Sequence, residues 1–179
     1  MRETEGGKQK IKSSSDMLVG DFKKILSFFE TVDMCGQISD PIYHPKFHDL
    51  LEEFKKQNHC HLLRIHTNGT RKSIEWWEKT FSYKNISWIF GLDGTNQETA
   101  NIYRVTTRFQ EVLNVMILGK KLDVDVYWQF IPFEHNEHQI DTFYKLCDQY
   151  GITPILKHSK RWIPERIEKH KIYPPKFLR

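Results

Sequence analysis

The chain of 179 residues has no apolar run near the roughly 20 residues that a membrane-crossing helix needs, which argues against a membrane span. Its first residues are charged and hold no apolar stretch, so they do not read as a secretory signal. Cysteine is scarce: Cys35, Cys60 and Cys147 are odd in number and far apart, the usage of reduced thiols in a cytoplasmic setting. Neither a Gly-x-Gly-x-x-Gly turn nor a phosphate-loop Lys pattern occurs, which lowers the case for a dinucleotide or nucleoside-triphosphate enzyme. There is no cysteine pair and no His-Glu-x-x-His, so no metal ligands are assigned. The net charge of +4 is mild. Its basic excess between Lys157 and Lys176 fits a solvated surface better than a nucleic-acid contact.

What is present is the composition of a globular domain, 39% hydrophobic and 13% aromatic, long enough to bury a core. Residues 1–16 are polar and rich in Gly and Ser, the mark of a flexible leader. Helical stripes and strand-like runs then alternate. Phe22, Ile25, Leu26 and Phe29 mark a first helix. Residues 32–35 form a strand, and Phe47, Leu50, Leu51 and Phe54 a second helix. Residues 61–66 are the next strand, followed by a short helix at 73–81 with Ile74, Trp77 and Phe81 inward. Residues 87–90 are a third strand. Phe109, Val112, Leu113, Met116 and Ile117 mark a helix ending near Gly119. Residues 124–130 are a fourth strand. Ile140, Phe143, Tyr144 and Cys147 form a helix closed by Gly151, and residues 152–156 a fifth strand that contains Pro154.

This alternation predicts an α/β fold of parallel strands with right-handed crossovers. An open doubly wound sheet and an arc of a barrel both fit. The chain opens on a helix where a βα unit normally opens on a strand, so the expected domain, 17–162, lacks its first strand. Residues 163–179 read as a tail or linker, and the whole reads as the middle of a larger protein.

Three polar segments follow three of the strands: residues 35–45 (CGQISDPIYHP), 66–70 (HTNGT) and 91–95 (GLDGT). Parallel strands place all three at the C-terminal edge of the sheet, where such folds collect ligands. Gly36 allows close backbone approach, Asp40 accepts hydrogen bonds or caps its own turn, and Pro41 fixes the turn. Thr67, Asn68 and Asp93 offer polar groups at strand ends, each of which also serves as an ordinary turn residue. His66 and His158 fall near strand ends and are the acid/base candidates. The pairs His44/His48 and His135/His138 read as surface or capping histidines, and Trp76, Trp77, Trp88, Trp128 and Trp162 as core packing rather than base-stacking platforms.

These residues resemble the core domain of the radical S-adenosylmethionine (radical SAM) enzymes, of the type with a C-terminal auxiliary-cluster (SPASM) domain, over roughly residues 18–162. Residues 35–45 are similar to that family's Gly-Gly-Glu-Pro region. Gly36 and Gln37 stand near its glycines, Asp40 at its acidic position and Pro41 at its proline. The resemblance implies that this segment holds the amino group of SAM. Thr67-Asn68-Gly69 resembles the family's Thr-Asn-Gly. Gly91-Leu92-Asp93-Gly94 resembles its Ser-Ile-Asp-Gly, near the ribose and carboxylate, with Gly91 where a serine is usual. Tyr103-Arg104 resembles a Tyr-Arg whose guanidinium pairs with a carboxylate, and Gln129 would approach the adenine.

The implied fold is a partial (β/α)₆ barrel, the implied cofactors are SAM and a [4Fe-4S] cluster, and the implied partners are a peptide substrate or the absent flanking segments. The family's Cys-x₃-Cys-x₂-Cys motif is not in this chain, and none of its cysteines has that spacing. Two expectations follow: the SAM-binding part of an enzyme that cleaves SAM reductively, inactive alone, or a non-catalytic module that binds SAM, a nucleoside or a partner. A cluster-free α/β enzyme using Asp40, His66 and His158 is a third.

Overall fold

The computed structural model describes residues 16–36, 39–159, 164, 167–168 and 171–178. Gln37, Trp162 and the expected leader up to residue 15 lie outside them.

Five strands form one sheet: β1 (Thr31–Met34), β2 (Leu62–Thr67), β3 (Ile86–Gly91), β4 (Asp125–Phe130) and β5 (Thr153–Leu156). Every pairing is parallel, and the order along the sheet is the order along the chain. This order decides between the two architectures left open by the sequence. A doubly wound sheet reverses its strand order part-way; a strictly sequential one with right-handed crossovers carries all its helices on one face, as a barrel does.

The helices are α1 (Val19–Phe28), α2 (Phe47–Lys55), α3 (Ile74–Phe81), α4 (Gln97–Tyr103), α5 (Phe109–Lys121) and α6 (Ile140–Tyr150). One face of the sheet is buried under them: Leu63 and Ile65 of β2, Trp88 and Phe90 of β3, and Val126, Trp128 and Phe130 of β4. Trp77 of α3 packs edge-on to Trp88, ring centres 5.4 Å apart, and Phe143 of α6 packs edge-on to Trp128 at 5.2 Å. Trp77, Trp88 and Trp128 are therefore core residues, and Trp76 stacks on Phe47.

The other face is polar. Alternation in β2 and β4 puts Arg64, His66, Asp125, Tyr127 and Gln129 there, in register with Asp33, Ser87, Ile89 and Gly91 of β1 and β3. Pro154 sits in β5, which pairs only with β4 among the described residues, so its missing N–H costs no ladder bond on that outer side.

Several local expectations shift. Phe29 is not on the buried stripe of α1: it is the residue at which the helix ends in extended backbone, and it is 57% exposed. Ile74, in the first turn of α3, faces outward, while Ser73 caps that helix by accepting from the Trp76 amide. Tyr144 lies outside the buried stripe of α6, which keeps only Phe143 and Cys147. Helix α5 runs through Gly119 rather than stopping there. Gly119 instead lets α5 approach β4, because a Cβ on it would meet Val126 Cγ2 at 2.7 Å. Helix α4 has no counterpart in the periodicity; it buries only Thr99 and Ala100 and is set by its Asn96 cap.

Candidate functional site

The rim formed by the C-terminal ends of the strands gathers the three polar segments. After β1, Gly36 adopts φ +54°, a left-handed conformation that glycine takes without strain. Asp40 lies 8% exposed and starts a short 3₁₀ turn at Pro41–Tyr43. One carboxylate oxygen of Asp40 accepts from the Ile42 amide at 3.3 Å. The other accepts from the Asn68 amide at 2.6 Å and the Thr67 hydroxyl at 3.0 Å. Asp40 thus joins the first and second loops. Burial pushes its carboxyl above the usual range, against the pull of those donors and of Arg104.

Asn68 Oδ1 accepts from both the amide and the hydroxyl of Thr70, and its Nδ2 has no protein partner among the described residues. After β3, Asp93 is fully buried and entirely committed. Its Oδ2 accepts from Arg104 Nε at 2.7 Å, its Oδ1 from the Ile131 amide at 2.8 Å, and its backbone oxygen from Asn136 Nδ2 at 3.0 Å.

Arg104 crosses behind Gly91. A Cβ at position 91 would meet Arg104 Nη2 at 2.7 Å, so the guanidinium takes the space that the expected serine would fill. Burial works to lower the Arg104 pKa, and the Asp93 charge and hydrogen bond outweigh it and hold it raised. The side chain is 28% exposed, and its two terminal nitrogens make no hydrogen bond among the described residues.

Asn136 and Gln139 are buried members of this rim that periodicity does not find. Asn136 accepts from the Phe133 amide and donates to the Ile131 carbonyl. Gln139 Oε1 accepts from the Thr95 amide and the Thr99 hydroxyl. Their only mark in the sequence is their place in the connection between the fourth strand and the last helix.

Gln129 and His66 lie on the polar face below the rim, half-buried, and neither side chain makes a hydrogen bond within the described residues. Burial lowers the His66 pKa, helped by Lys157 and Arg64 and opposed by Asp33. His158 is elsewhere on the rim, edge-on to Phe177 at 5.6 Å. There the segment 173–177 lies across the loop that follows β4: the Glu134 amide donates to the Tyr173 carbonyl, and the Lys176 amide to Glu137. The paired histidines do not converge. His44 Nε2 is 2.9 Å from the Met17 carbonyl, His48 Nε2 is 2.9 Å from the Thr80 hydroxyl, and His135 stacks on Phe133.

A hollow of ≈ 590 Å³ opens at the opposite edge, between Glu52, Cys60, Tyr83 and Asn85. Its Tyr83 hydroxyl donates to Glu52 at 2.6 Å, and burial with that neighbour pushes the phenol up to about 12.

The cysteines do not fit an iron–sulfur cluster. Cys35 is exposed at the rim, Cys60 is buried before β2 at the far edge, and Cys147 is on the buried side of α6. Cluster ligation takes several thiolates at one point, and this chain brings at most one to the rim.

Solved structures resemble this fold. Streptococcus suis SuiB bound to S-adenosylmethionine matches with a TM-score of 0.65 at 12% identity, over 90% of this chain and 42% of that one. SuiB bound to its precursor peptide SuiA matches at 0.68 and 12%, over 88% and 38%. The protein anSMEcpe with bound AdoMet and Kp18Cys peptide matches at 0.60 and 18%, over 78% and 41%. The fold is an α/β arc of five parallel strands, similar to a partial radical SAM barrel. The chain spans about two-fifths of the length of these proteins. No protein-family model and no curated protein matches it. Among the described residues no helix is long and apolar enough to cross a membrane.

Proposed function

We propose that this chain binds S-adenosylmethionine, or a ligand sharing its adenosyl and amino-acid groups, at the rim between Gly36 and Gln129. The observation that carries this reading is Arg104: a half-buried guanidinium braced by Asp93, its two terminal nitrogens uncommitted among the described residues, at the edge of an open polar face. That is the donor set that a ligand carboxylate requires. The fold adds to it, because structures of the same architecture are described with AdoMet bound. In this reading the loop that holds Gly36, Asp40 and Pro41 presents backbone oxygens to the ligand ammonium, and Gln37, outside the described residues, joins it by the resemblance alone. Thr67, Asn68, Gly91 and Asp93 shape the wall, and Gln129 faces the adenine. Asp40 and Asp93 act through the loops they fasten, since their own oxygens are already taken. Residues 17–162 form the binding domain, in a cytoplasmic protein.

The chain's own residues supply no cluster, so reductive cleavage of the ligand and attack on a peptide belong to a larger assembly with flanking segments. A module that binds without catalysis fits the cysteine positions equally. Calorimetry with SAM on anaerobically purified, iron-free protein tests the common core of both. Binding is expected, and Arg104→Gln should weaken it by roughly tenfold or more, the loss of a charged hydrogen bond. No heat with SAM or S-adenosylhomocysteine would remove the reading. Iron and sulfide assays after anaerobic reconstitution should show no stoichiometric cluster.

A further inference from the structure

Sheet register brings together three side chains that the sequence separates. Asp33 and Cys35 stand two apart along β1 and its exit, so both point to the polar face. His66 of β2 follows Arg64, the partner of Asp33, by the same step, which sets it opposite Cys35. One carboxylate oxygen, the thiol sulfur and one imidazole nitrogen all lie within 4.8 Å of one another. We propose that Asp33, Cys35 and His66 bind a divalent transition-metal ion of the zinc type.

The chemistry of the donor set argues for this class. Thiolate, imidazole and carboxylate together suit zinc, whereas magnesium and calcium call for oxygen alone. Bonds of roughly 2.0–2.3 Å put tetrahedral ligand atoms about 3.3–3.8 Å apart. The three atoms therefore need to close by about 1 Å. Asp33 and Cys35 are exposed, and a small rotamer change supplies that movement. His66 makes no hydrogen bond within the described residues, so a nitrogen is free to ligate. Arg64 Nη1 holds one oxygen of Asp33 at 3.2 Å and leaves the second for the ion, the outer-shell arrangement that orients a ligating carboxylate. Arg64 and Lys157 are the cations that act on His66, and Asp33 supplies the opposing negative charge. Three protein ligands on an open face leave a fourth position for water or a small ligand, the form of a reactive rather than a purely structural site.

The inference is independent of SAM binding, and its test uses metal alone. The full chain, stripped with a chelator, is titrated with cobalt(II) and then with zinc. One cobalt per chain is expected, with a thiolate charge-transfer band in the near ultraviolet and the intense visible bands of four-coordinate geometry; zinc should erase both. Cys35→Ser should abolish the charge-transfer band. Asp33→Asn and His66→Gln should retain the band and weaken zinc by more than about tenfold, beyond the lower end of the range for outer-shell changes. All three side chains lie at the surface or half-buried, and a far-ultraviolet spectrum verifies folding. A missing band in the native chain, a band that survives Cys35→Ser, or unchanged zinc affinity in His66→Gln would each overturn the site. Calorimetry with SAM on the same samples separates failure here from failure of the rim.

Discussion

The two halves of the rim are built differently. After β3, Asp93 is fully buried and holds Arg104, the Ile131 amide and Asn136 at once. At the end of β1, Asp33 and Cys35 stand exposed, and Asp40 and Tyr43, farther along, tie that loop to the next. A carboxylate with a protein donor on each oxygen is scaffolding, whatever its position in a motif. Groups with capacity to spare, Arg104 Nη, Asn68 Nδ2, Gln129 and His66, are where a ligand can be met. The carboxylates Asp40 and Asp93 set shape, and the groups left uncommitted beside them offer chemistry.

That contrast can be broken most forcefully at Asp93. Asp93→Asn turns an amide N–H toward Arg104 Nε and leaves the guanidinium without its buried counter-charge. Loss of about 3 kcal/mol of unfolding free energy is expected, the cost of stranding one partner of a buried pair, measured by urea denaturation. Asp33→Asn, on the exposed side of the comparison, should change stability by less than about 1 kcal/mol, as exposed ion pairs do.

A smaller effect is expected at Gly91. Gly91→Ala places a Cβ 2.7 Å from Arg104 Nη2. Arg104 is long enough to yield, so the cost should be about 1 kcal/mol, at the low end of overpacking. The displaced guanidinium should still weaken SAM binding in calorimetry. Normal affinity would show that Arg104 braces the rim without meeting ligand.

The smallest effect is the pH dependence of Asp40. Its folded pKa is raised above the ordinary 3.8, so the native state holds the proton more tightly than the unfolded chain. By linkage its contribution is most favourable below 3.8 and is lost as pH climbs through the raised value. The difference in unfolding free energy between the native chain and Asp40→Asn should therefore move against the native chain over that window. A flat difference would mean that the donors from Asn68, Thr67 and Ile42 cancel the effect of burial.

The sequence carries the fold well and the site unevenly. All five strands were legible, because alternation and β-branched runs are local properties, and their order confirms a barrel arc. Helix α4 was not, since a seven-residue helix fastened by Asn96 and burying Thr99 and Ala100 has no apolar stripe to detect. Asp40, Thr67, Asn68 and Asp93 were visible as a set at one edge. That Asp40 and Asp93 are spent on neighbouring loops was not, for a side chain's partners 28 to 38 residues away are fixed only by tertiary packing. The convergence of Asp33, Cys35 and His66 was hidden for the same reason: it follows from inter-strand register.

Strand order has a last consequence, for how the chain reaches this shape. Each strand lies beside the one that precedes it in the sequence, so no pairing waits for a distant partner. The pairings Thr31↔Leu62, Leu63↔Ile86, Ser87↔Asp125 and Tyr127↔Thr153 each join consecutive strands, so no closure spans more than one βα connection. A chain leaving the ribosome can lay down one βα unit against the last, and the Trp128 indole then locks onto the Leu92 carbonyl at 2.7 Å as the fourth strand arrives. The topology permits vectorial assembly, and a late-synthesised defect in α6 should leave the earlier units able to form.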